Sequence, residues 1–305
     1  MEKYSRWSAA FALVLATAAW GGLFHVGKLA LTNLDPFWFT LIRYTGAAAL
    51  LLVILYSRGE VRWQLLRQHW VRLLYYGILG YGMFGILVFV GLDHSVPSHG
   101  AVIMATMPVT TLFLRWAFER QRPQWWAWGV VSLTIVGVVL VSGVLSAPTA
   151  SGGHTATIYG DLVALFGTLG WVTYTRGQGK LPQLSVIEYT AFTAVLALPA
   201  LFLLAVLATM IGWAHQPSVD NLVHVAPAMA YIVVVATVLA ALAFNKGVRQ
   251  LGATQGIVFI NFVPVSALAI SAFRGSMPHA MEIAGTLLVV CALLIQARLT
   301  RPRPA

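Results

Sequence analysis

Charge is what this chain has least of. Asp, Glu, Lys and Arg together make up 9% of its 305 residues, whereas 59% are hydrophobic and the mean hydropathy is +0.81. A soluble domain carries about 25% charged residues, so the composition indicates a membrane protein. The net charge of +10 comes from basic residues at the ends of apolar runs. This pattern indicates membrane topology, and no nucleic-acid partner is expected.

Cysteine and metal-ligand patterns are equally scarce. Cys291 is the single cysteine, which excludes a disulfide within the chain and a thiolate metal site. His25, His94 and His99 cluster toward one end of their apolar runs, but their spacing fits no metal motif. We expect them to be structural, with proton coupling as the alternative. No HExxH motif and no acidic pair occurs within an apolar run, so no enzyme, metal site or cofactor is expected.

Long apolar stretches are what the chain has in abundance. Ten of them, of roughly 20 residues each, fit a ~30 Å hydrocarbon core as helices. They are too long and too uniform for strands, and an open sheet edge cannot face lipid. The predicted spans are residues 8–28, 37–57, 73–91, 97–117, 124–145, 158–176, 186–211, 226–245, 254–273 and 279–297. The predicted fold is an all-α polytopic membrane protein with ten transmembrane helices, whose first partner is the lipid bilayer.

One stretch of the chain occurs twice. The sequence from Gly91 to Pro123 returns from Gly247 to Pro278, and at an offset of 156 six positions are identical. Glycine and proline are hard to exchange for backbone reasons, so their recurrence indicates two copies of one structural unit. The identical pairs are Gly91/Gly247, Gly100/Gly256, Val102/Val258, Pro108/Pro264, Val109/Val265 and Leu112/Leu268.

The repeat extends to the whole chain. Trp20 matches Trp171, and Arg43-Tyr44 matches Glu188-Tyr189, so each copy holds five helices. An odd number of helices inverts the second copy relative to the first. The sequence therefore predicts two inverted five-helix repeats, residues 1–146 and 157–298. Substrate sites of such proteins lie at the repeat interface near mid-membrane, which points to a transporter that works by alternating access as a monomer.

The basic residues predict the orientation. With the N-terminus placed inside, 16 of the 19 lysines and arginines lie on the inner side and two lie at outer ends. Such asymmetry is what the positive-inside rule describes. We expect a bacterial inner-membrane protein with both termini cytoplasmic. The remaining basic residue, Arg43, lies within the second span.

The ordered motifs of the chain resemble the drug/metabolite transporter superfamily, EamA type, over nearly its whole length. The resemblance implies a cavity lined by helices 1, 3, 4, 6, 8 and 9. The aromatic content is similar to that of the bacterial aromatic amino acid exporters of this family. The residues that carry the resemblance are Trp20-Gly21-Gly22, Lys28, Asp35-Pro36-Phe37, Arg43, Pro108, Glu119, Gly160-Asp161 and Pro264.

The resemblance implies export of small amphipathic metabolites, above all aromatic and other apolar amino acids. Other metabolites and cationic drugs stay open as alternatives. A sugar-phosphate or nucleotide-sugar carrier is less expected, because no Lys or Arg is expected near the middle of the cavity. A non-transporting scaffold is disfavoured because no extramembrane recognition domain is visible.

The predicted substrate contacts are aromatic or weakly polar residues near mid-membrane. Trp20 and Trp171 lie away from the interfacial belts where tryptophan gathers, and an indole offers both a flat face and an N–H donor. Packing between the repeats is the alternative for these tryptophans, and for the glycines that flank Tyr81 and Phe84. The full set is Trp20, Phe24, Tyr81, Phe84, Thr106, Thr168, Trp171 and Asn261.

Four residues are predicted to act in gating or structure. Pro108 and Pro264 lie mid-span and are expected to kink or hinge their helices. Arg43 is expected to pair with Asp161 or Glu282 and to latch the outer side, with a snorkelling structural arginine as the alternative.

Overall fold

Helices account for nearly all residues that the structure describes, and no strand occurs among them. The structure is a computed structural model, and it describes residues 2–59, 61–120, 122, 124–141, 154–275 and 280–299. We number the ten helical stretches α1 (Glu2–Leu31), α2 (Pro36–Ser57), α3 (Trp63–Asp93), α4 (Pro97–Ala105 with Met107–Glu119), α5 (Trp125–Val141), α6 (His154–Gly179), α7 (Val186–Met210), α8 (Val219–Leu251), α9 (Ala253–Val258 with Phe262–Phe273) and α10 (Ala280–Leu299).

The lengths and apolar composition of the helices agree with a polytopic membrane protein. Among the described residues, seven stretches are long and apolar enough to cross a membrane, belonging to α1, α2, α3, α4, α7, α8 and α9. The shorter apolar helices α5 and α10 pack against each other, and α6 packs along α3. We call the side on which α1 begins the near face and the other side the far face.

Two of the helices, α3 and α8, begin well before the predicted spans. α3 begins at Trp63, so residues 63–72, which include Arg67 and Arg72, are the first part of this helix. α8 begins at Val219, where the Ser218 hydroxyl accepts a hydrogen bond from Asn221 N at 3.1 Å. Residues 1 and 146 of the predicted repeat boundaries, and the repeat-closing Pro123 and Pro278, lie outside the described residues.

Helix contacts follow the symmetry that inverted repeats require. α1 packs against α8 and α9, and α6 packs in the same way against α3 and α4. The pairs α2–α7 and α5–α10 each join equivalent helices of the two repeats. Exchanging each helix with its repeat mate therefore preserves this set of contacts, as a pseudo-two-fold axis in the membrane plane demands.

Glycines that match between the repeats lie at equivalent helix crossings. A Cβ on Gly91 of α3 would lie 2.7 Å from Ala164 Cβ and 3.0 Å from Ala164 N in α6. A Cβ on Gly247 of α8 would lie 3.0 Å from the carbonyl oxygen of Ala9 in α1. The third span of each repeat therefore packs closely against the first span of the other repeat, because neither glycine has a side chain.

The third helix of each repeat contains a π-helical segment, Ile78–Met83 in α3 and Tyr231–Leu239 in α8. Such segments shift carbonyl groups out of the regular i→i−4 ladder and are frequent at functional sites. In α8 the Thr237 hydroxyl donates to the carbonyl of Ile232 at 2.7 Å, five residues earlier. Both segments face the interface between the repeats, where their freed groups meet helices of the other copy.

The fourth helix of each repeat is interrupted just before its proline. α4 breaks at Thr106, two residues before Pro108. α9 passes through a 3₁₀ turn, Phe259–Asn261, before Pro264. Proline lacks the N–H that would complete the preceding turn, so both interruptions have the same cause. They give each repeat one helix that is made of two segments.

Candidate functional site

A small cavity lies between the repeats, and four of the eight predicted substrate residues line it. Its volume is about 20 Å³, enough for about one water molecule. The aromatic part of its wall consists of Trp20 and Phe24 from α1, Phe84 from α3 and Trp171 from α6, together with Phe89. A cavity of this size cannot hold an amino acid, so the repeats are closed around it.

The helices that line this central cavity differ in part from the expected set. α1, α3, α4 and α6 contribute as expected, but α2 contributes as well, through Arg43. No described α8 residue lines the cavity, but Phe244 of α8 packs against the two tryptophans, with its ring centroid 4.9 Å from that of Trp20 and 6.0 Å from that of Trp171. No α9 residue lines the cavity among the described residues. The remaining lining residues are Leu23, Val88 and Met104.

The two tryptophans that match between the repeats meet edge to face beside the cavity. Their ring centroids are 5.4 Å apart and their planes cross at 89°, a favoured geometry for aromatic pairs. Trp20 Nε1 donates to the carbonyl of Ala236 in the π-helical segment of α8 at 2.9 Å. Trp171 Nε1 is buried with no hydrogen-bond partner among the described residues. Trp20 is therefore anchored to the second repeat, whereas Trp171 keeps an unused donor.

Arg43 is a buried cation at the same cavity. Its residue is 3% exposed, and its Nε donates to the Thr237 hydroxyl of α8 at 2.7 Å. Its guanidinium carbon lies 4.8 Å from the ring centroid of Tyr44 and 5.3 Å from that of Phe89, within reach of cation–π attraction. Nη1 has no hydrogen-bond partner, and no described carboxylate pairs with Arg43.

The expected latch between Arg43 and an acidic residue is not formed. Asp161 instead accepts a hydrogen bond from the Ser95 hydroxyl at 2.6 Å and lies 2.9 Å from His99 Nδ1. Arg43 does not reach Asp161 or Glu282 because it points toward Thr237 inside the bundle. The expectation that no arginine lies near the middle of the cavity is therefore wrong.

Tyr81 belongs to a buried polar network and does not line the central cavity. Its hydroxyl donates to the Tyr174 hydroxyl at 2.9 Å. Asn245 Nδ2 also donates to the Tyr174 hydroxyl, at 2.8 Å, and to the Thr190 hydroxyl, at 2.9 Å. The network joins α3, α6, α7 and α8 on the near side of the tryptophan pair, and it holds the two repeats together.

A second cavity, of about 780 Å³, lies between α4, α5 and α6 toward the far face. This volume is in the range of about 300–1,000 Å³ that is typical of small-molecule sites. Its lining is apolar except for Thr106, Thr110, His99 and Asp161. α4 lines the central cavity through Met104 and this second cavity through Thr106 at its break, so the broken helix forms part of the wall of both.

Two other predicted substrate residues lie outside both cavities. Thr168 is fully buried, and its hydroxyl lies 3.4 Å from that of Thr110. Asn261 is 4% exposed in the 3₁₀ turn of α9. The prolines Pro108 and Pro264 shape their helices but do not line either cavity.

The ion pair between Arg62 and Glu188 at the near face was not predicted from the sequence. Arg62 Nε donates to Glu188 Oε1 at 2.8 Å, and Arg62 Nη2 donates to the carbonyl of Gln183 at 3.0 Å. Glu188 is fully buried and also caps α7 through the backbone N–H of Ser185 at 2.7 Å. The signal for this pair was Glu188 itself, an acidic residue within a predicted span and equivalent to Arg43, which needs a basic partner.

We expect Arg62→Ala to lower the free energy of unfolding by about 1–2 kcal/mol. The substitution removes the hydrogen bonds that Arg62 Nε and Nη2 donate to the buried Glu188 carboxylate. Melting of the purified protein in detergent measures the effect. Arg67→Ala, at an exposed position in the first turns of α3, is the matched control and should melt like the parent protein. Equal melting temperatures for both variants would show that the pair contributes nothing to stability.

The symmetric contacts, the π-helical segments and the closed aromatic cavity at the repeat interface define a multi-pass membrane transporter. The chain matches the EamA-like transporter family over residues 7–143 and 158–297, and it belongs to that family. The resemblance to the EamA type of the drug/metabolite transporter superfamily is thus confirmed.

Similar proteins carry transporter names without a stated substrate. The chain is 26% identical to the uncharacterized transporter YrdR of Bacillus subtilis (strain 168), over 97% of this chain and 92% of that protein. It is 27% identical to the uncharacterized transporter YyaM of the same organism, over 92% of this chain and 90% of that protein. A solved crystal structure, 17% identical, aligns with a TM-score of 0.68 over 96% of this chain and 99% of that one. This last likeness shows the fold alone.

Proposed function

We propose that this transporter exports aromatic and other apolar amino acids across the bacterial inner membrane. The observation that carries the proposal is the aromatic wall of the central cavity at the interface of the repeats. Trp20 and Trp171 supply ring faces there, and Phe24 and Phe84 extend the apolar surface. Aromatic and aliphatic side chains gain from such a surface, because burial and ring contact both stabilise them.

The proposed mechanism is alternating access by movement of one repeat against the other. The breaks in α4 at Thr106 and in α9 at Phe259–Asn261 give each repeat a segment that can move without unfolding its helix. Asp161 of α6 contacts Ser95 and His99 at the far face. These contacts join α6 to the start of α4, and they would break when that side opens. The larger cavity behind α4 would then become continuous with the central one.

The orientation and oligomeric state are part of the same proposal. The excess of basic residues at the near face supports a cytoplasmic location for both termini. One chain contains both repeats of an inverted pair, so we propose that it works as a monomer. Transport then requires neither a partner subunit nor a chemical step on the substrate.

Counterflow into proteoliposomes tests the substrate class. Purified protein is reconstituted into liposomes preloaded with an unlabelled amino acid, and labelled tryptophan, phenylalanine or threonine is added outside. We expect tryptophan and phenylalanine to accumulate faster than threonine, whose side chain is smaller and polar, and liposomes without protein give the background. Absence of counterflow for every amino acid, with protein that is folded and inserted, would contradict the proposal.

A further inference from the structure

We propose that Arg43, together with the indole N–H of Trp171, binds the carboxylate of the transported substrate. The carrier would then select monocarboxylates with an apolar or aromatic side chain. This inference rests on the proposed function and adds to it the charge of the substrate and the groups that recognise that charge.

Arg43 is a cation without a counter-ion among the described residues. Arginine stays protonated in proteins, and a charge within a membrane span is costly and is usually functional. Arg43 is 3% exposed, and the four ion pairs of the described residues do not include it. Its contacts with the Tyr44 and Phe89 rings compensate only part of this cost. An anionic ligand would supply the missing negative charge.

The fold holds one edge of the Arg43 guanidinium and leaves another N–H group unused. Thr237 accepts from Nε and is itself fixed by its bond to the carbonyl of Ile232, so one edge of the guanidinium is held against α8. Nη1 has no partner. A guanidinium binds a carboxylate through its planar N–H groups, so an arginine fixed in this way is suited to that ligand.

A second unused donor, the indole N–H of Trp171, belongs to the same cavity. Trp171 lines the cavity with Arg43, and its buried Nε1 has no partner among the residues that the structure describes. Trp20 differs, because its Nε1 is already bonded to Ala236. A buried donor without a partner is destabilising, and a bound carboxylate would satisfy both Arg43 and Trp171.

The charge of the site selects among ligand classes. A single arginine balances one negative charge, whereas a phosphate monoester carries about −1.5 to −2 at neutral pH. The rest of the wall is apolar or aromatic, so a sugar phosphate would leave charge and hydroxyl groups unpaired. A cationic drug would be repelled by Arg43. A monocarboxylate matches the site, and the ammonium group of an amino acid can lie over the indole faces.

The test compares ligands that share an indole ring and differ in charge. Thermal stabilisation of the purified protein is measured with tryptophan, indole-3-propionate, which lacks the ammonium group, and tryptamine, which lacks the carboxylate. The aliphatic pair 4-methylpentanoate and isopentylamine repeats the comparison without a ring. We expect the parent protein to respond to the three carboxylates and not to the two amines.

Three variants test whether the preference for carboxylates depends on Arg43 and Trp171. Arg43→Gln should raise the half-saturating concentration of the carboxylates by about tenfold or more, whereas Arg43→Lys should retain the preference in part. Trp171→Phe keeps an aromatic ring and removes the N–H, so it should raise the half-saturating concentration of the carboxylates by about threefold to tenfold. If Arg43→Gln does not fold, Trp171→Phe carries the test, and unchanged carboxylate binding in that variant would overturn the proposal.

The outcomes separate this inference from the proposed function. Tryptophan counterflow with an unchanged carboxylate preference in folded Arg43→Gln would overturn the role of Arg43 and leave amino acid export standing. Loss of the preference in Arg43→Gln, without counterflow of any amino acid, would support the role of Arg43 and remove amino acid export. A parent protein that responds to no carboxylate, or equally to carboxylates and amines, would overturn the inference.

Discussion

Trp171→Ala is expected to reduce tryptophan counterflow by about tenfold or more, because aromatic pairs each contribute about 0.5–1.5 kcal/mol beyond burial. The ring lies at the centre of the cavity wall, with centroids 5.4 Å from Trp20, 5.2 Å from Phe84 and 5.0 Å from Tyr174. Removing it takes away the ring face, the N–H donor and the contact that joins the repeats. Initial rates in proteoliposomes with equal amounts of inserted protein give the measurement.

Loss of folding must be separated from loss of transport in this variant. Replacing a buried tryptophan by alanine costs about 3–5 kcal/mol, so the melting temperature is recorded first. Trp171→Phe retains a ring and should keep more transport than Trp171→Ala. Trp125→Ala removes a tryptophan that is 86% exposed and should leave counterflow unchanged. Normal counterflow in a folded Trp171→Ala protein would rule out the aromatic wall as the substrate site.

Gly91→Ala is expected to destabilise the protein by about 1–3 kcal/mol through overpacking. The added methyl group would meet the backbone and Cβ of Ala164, with distances of 3.0 Å to N and 2.7 Å to Cβ. Backbone atoms cannot move aside as a flexible side chain can, so α3 and α6 would have to separate. Since the central cavity lies between these helices, counterflow should fall with the melting temperature.

Gly129→Ala is the matched control for this substitution. Gly129 is exposed on α5, and a Cβ there would have no other atom within 4 Å. Alanine is preferred over glycine in a helix by about 0.5–1 kcal/mol, so the control should melt at the same temperature or higher. If Gly91→Ala melted like Gly129→Ala, the close crossing of α3 and α6 would not be a determinant of stability.

The architecture was predictable because it depends on patterns that repeat along the chain. Run length and hydropathy set the number of spans, and the recurrence of Gly91 as Gly247 revealed the two copies. Trp20 and its match Trp171 meet beside the central cavity, since symmetry brings equivalent positions together at the axis. These inferences needed only the order of residues and the thickness of a bilayer.

The contacts of Arg43 were not predictable because they depend on how α2 is rotated about its axis. The sequence predicted Asp161 or Glu282 as its partner, but Asp161 is held by Ser95, just before α4, and by His99 in its first turn. The Thr237 hydroxyl that holds Arg43 lies in a π-helical segment, and no local sequence signal marks such segments. Tertiary register, which local patterns do not encode, decides these contacts.

The most direct test of the account is whether the central cavity opens to both faces of the membrane. Val88 lines the cavity and is 2% exposed, and Cys291 is the single native cysteine. Val88→Cys in a Cys291→Ser background therefore places one thiol at the site. A membrane-impermeant thiol reagent is added to either side of sealed vesicles, with and without tryptophan.

Alternating access predicts that the thiol reacts from both sides and that tryptophan slows both reactions. Each side gains access only while the repeats are separated at that face, so the rates depend on the same movement that carries substrate. Reaction from one side only, in protein that still performs counterflow, would contradict the account.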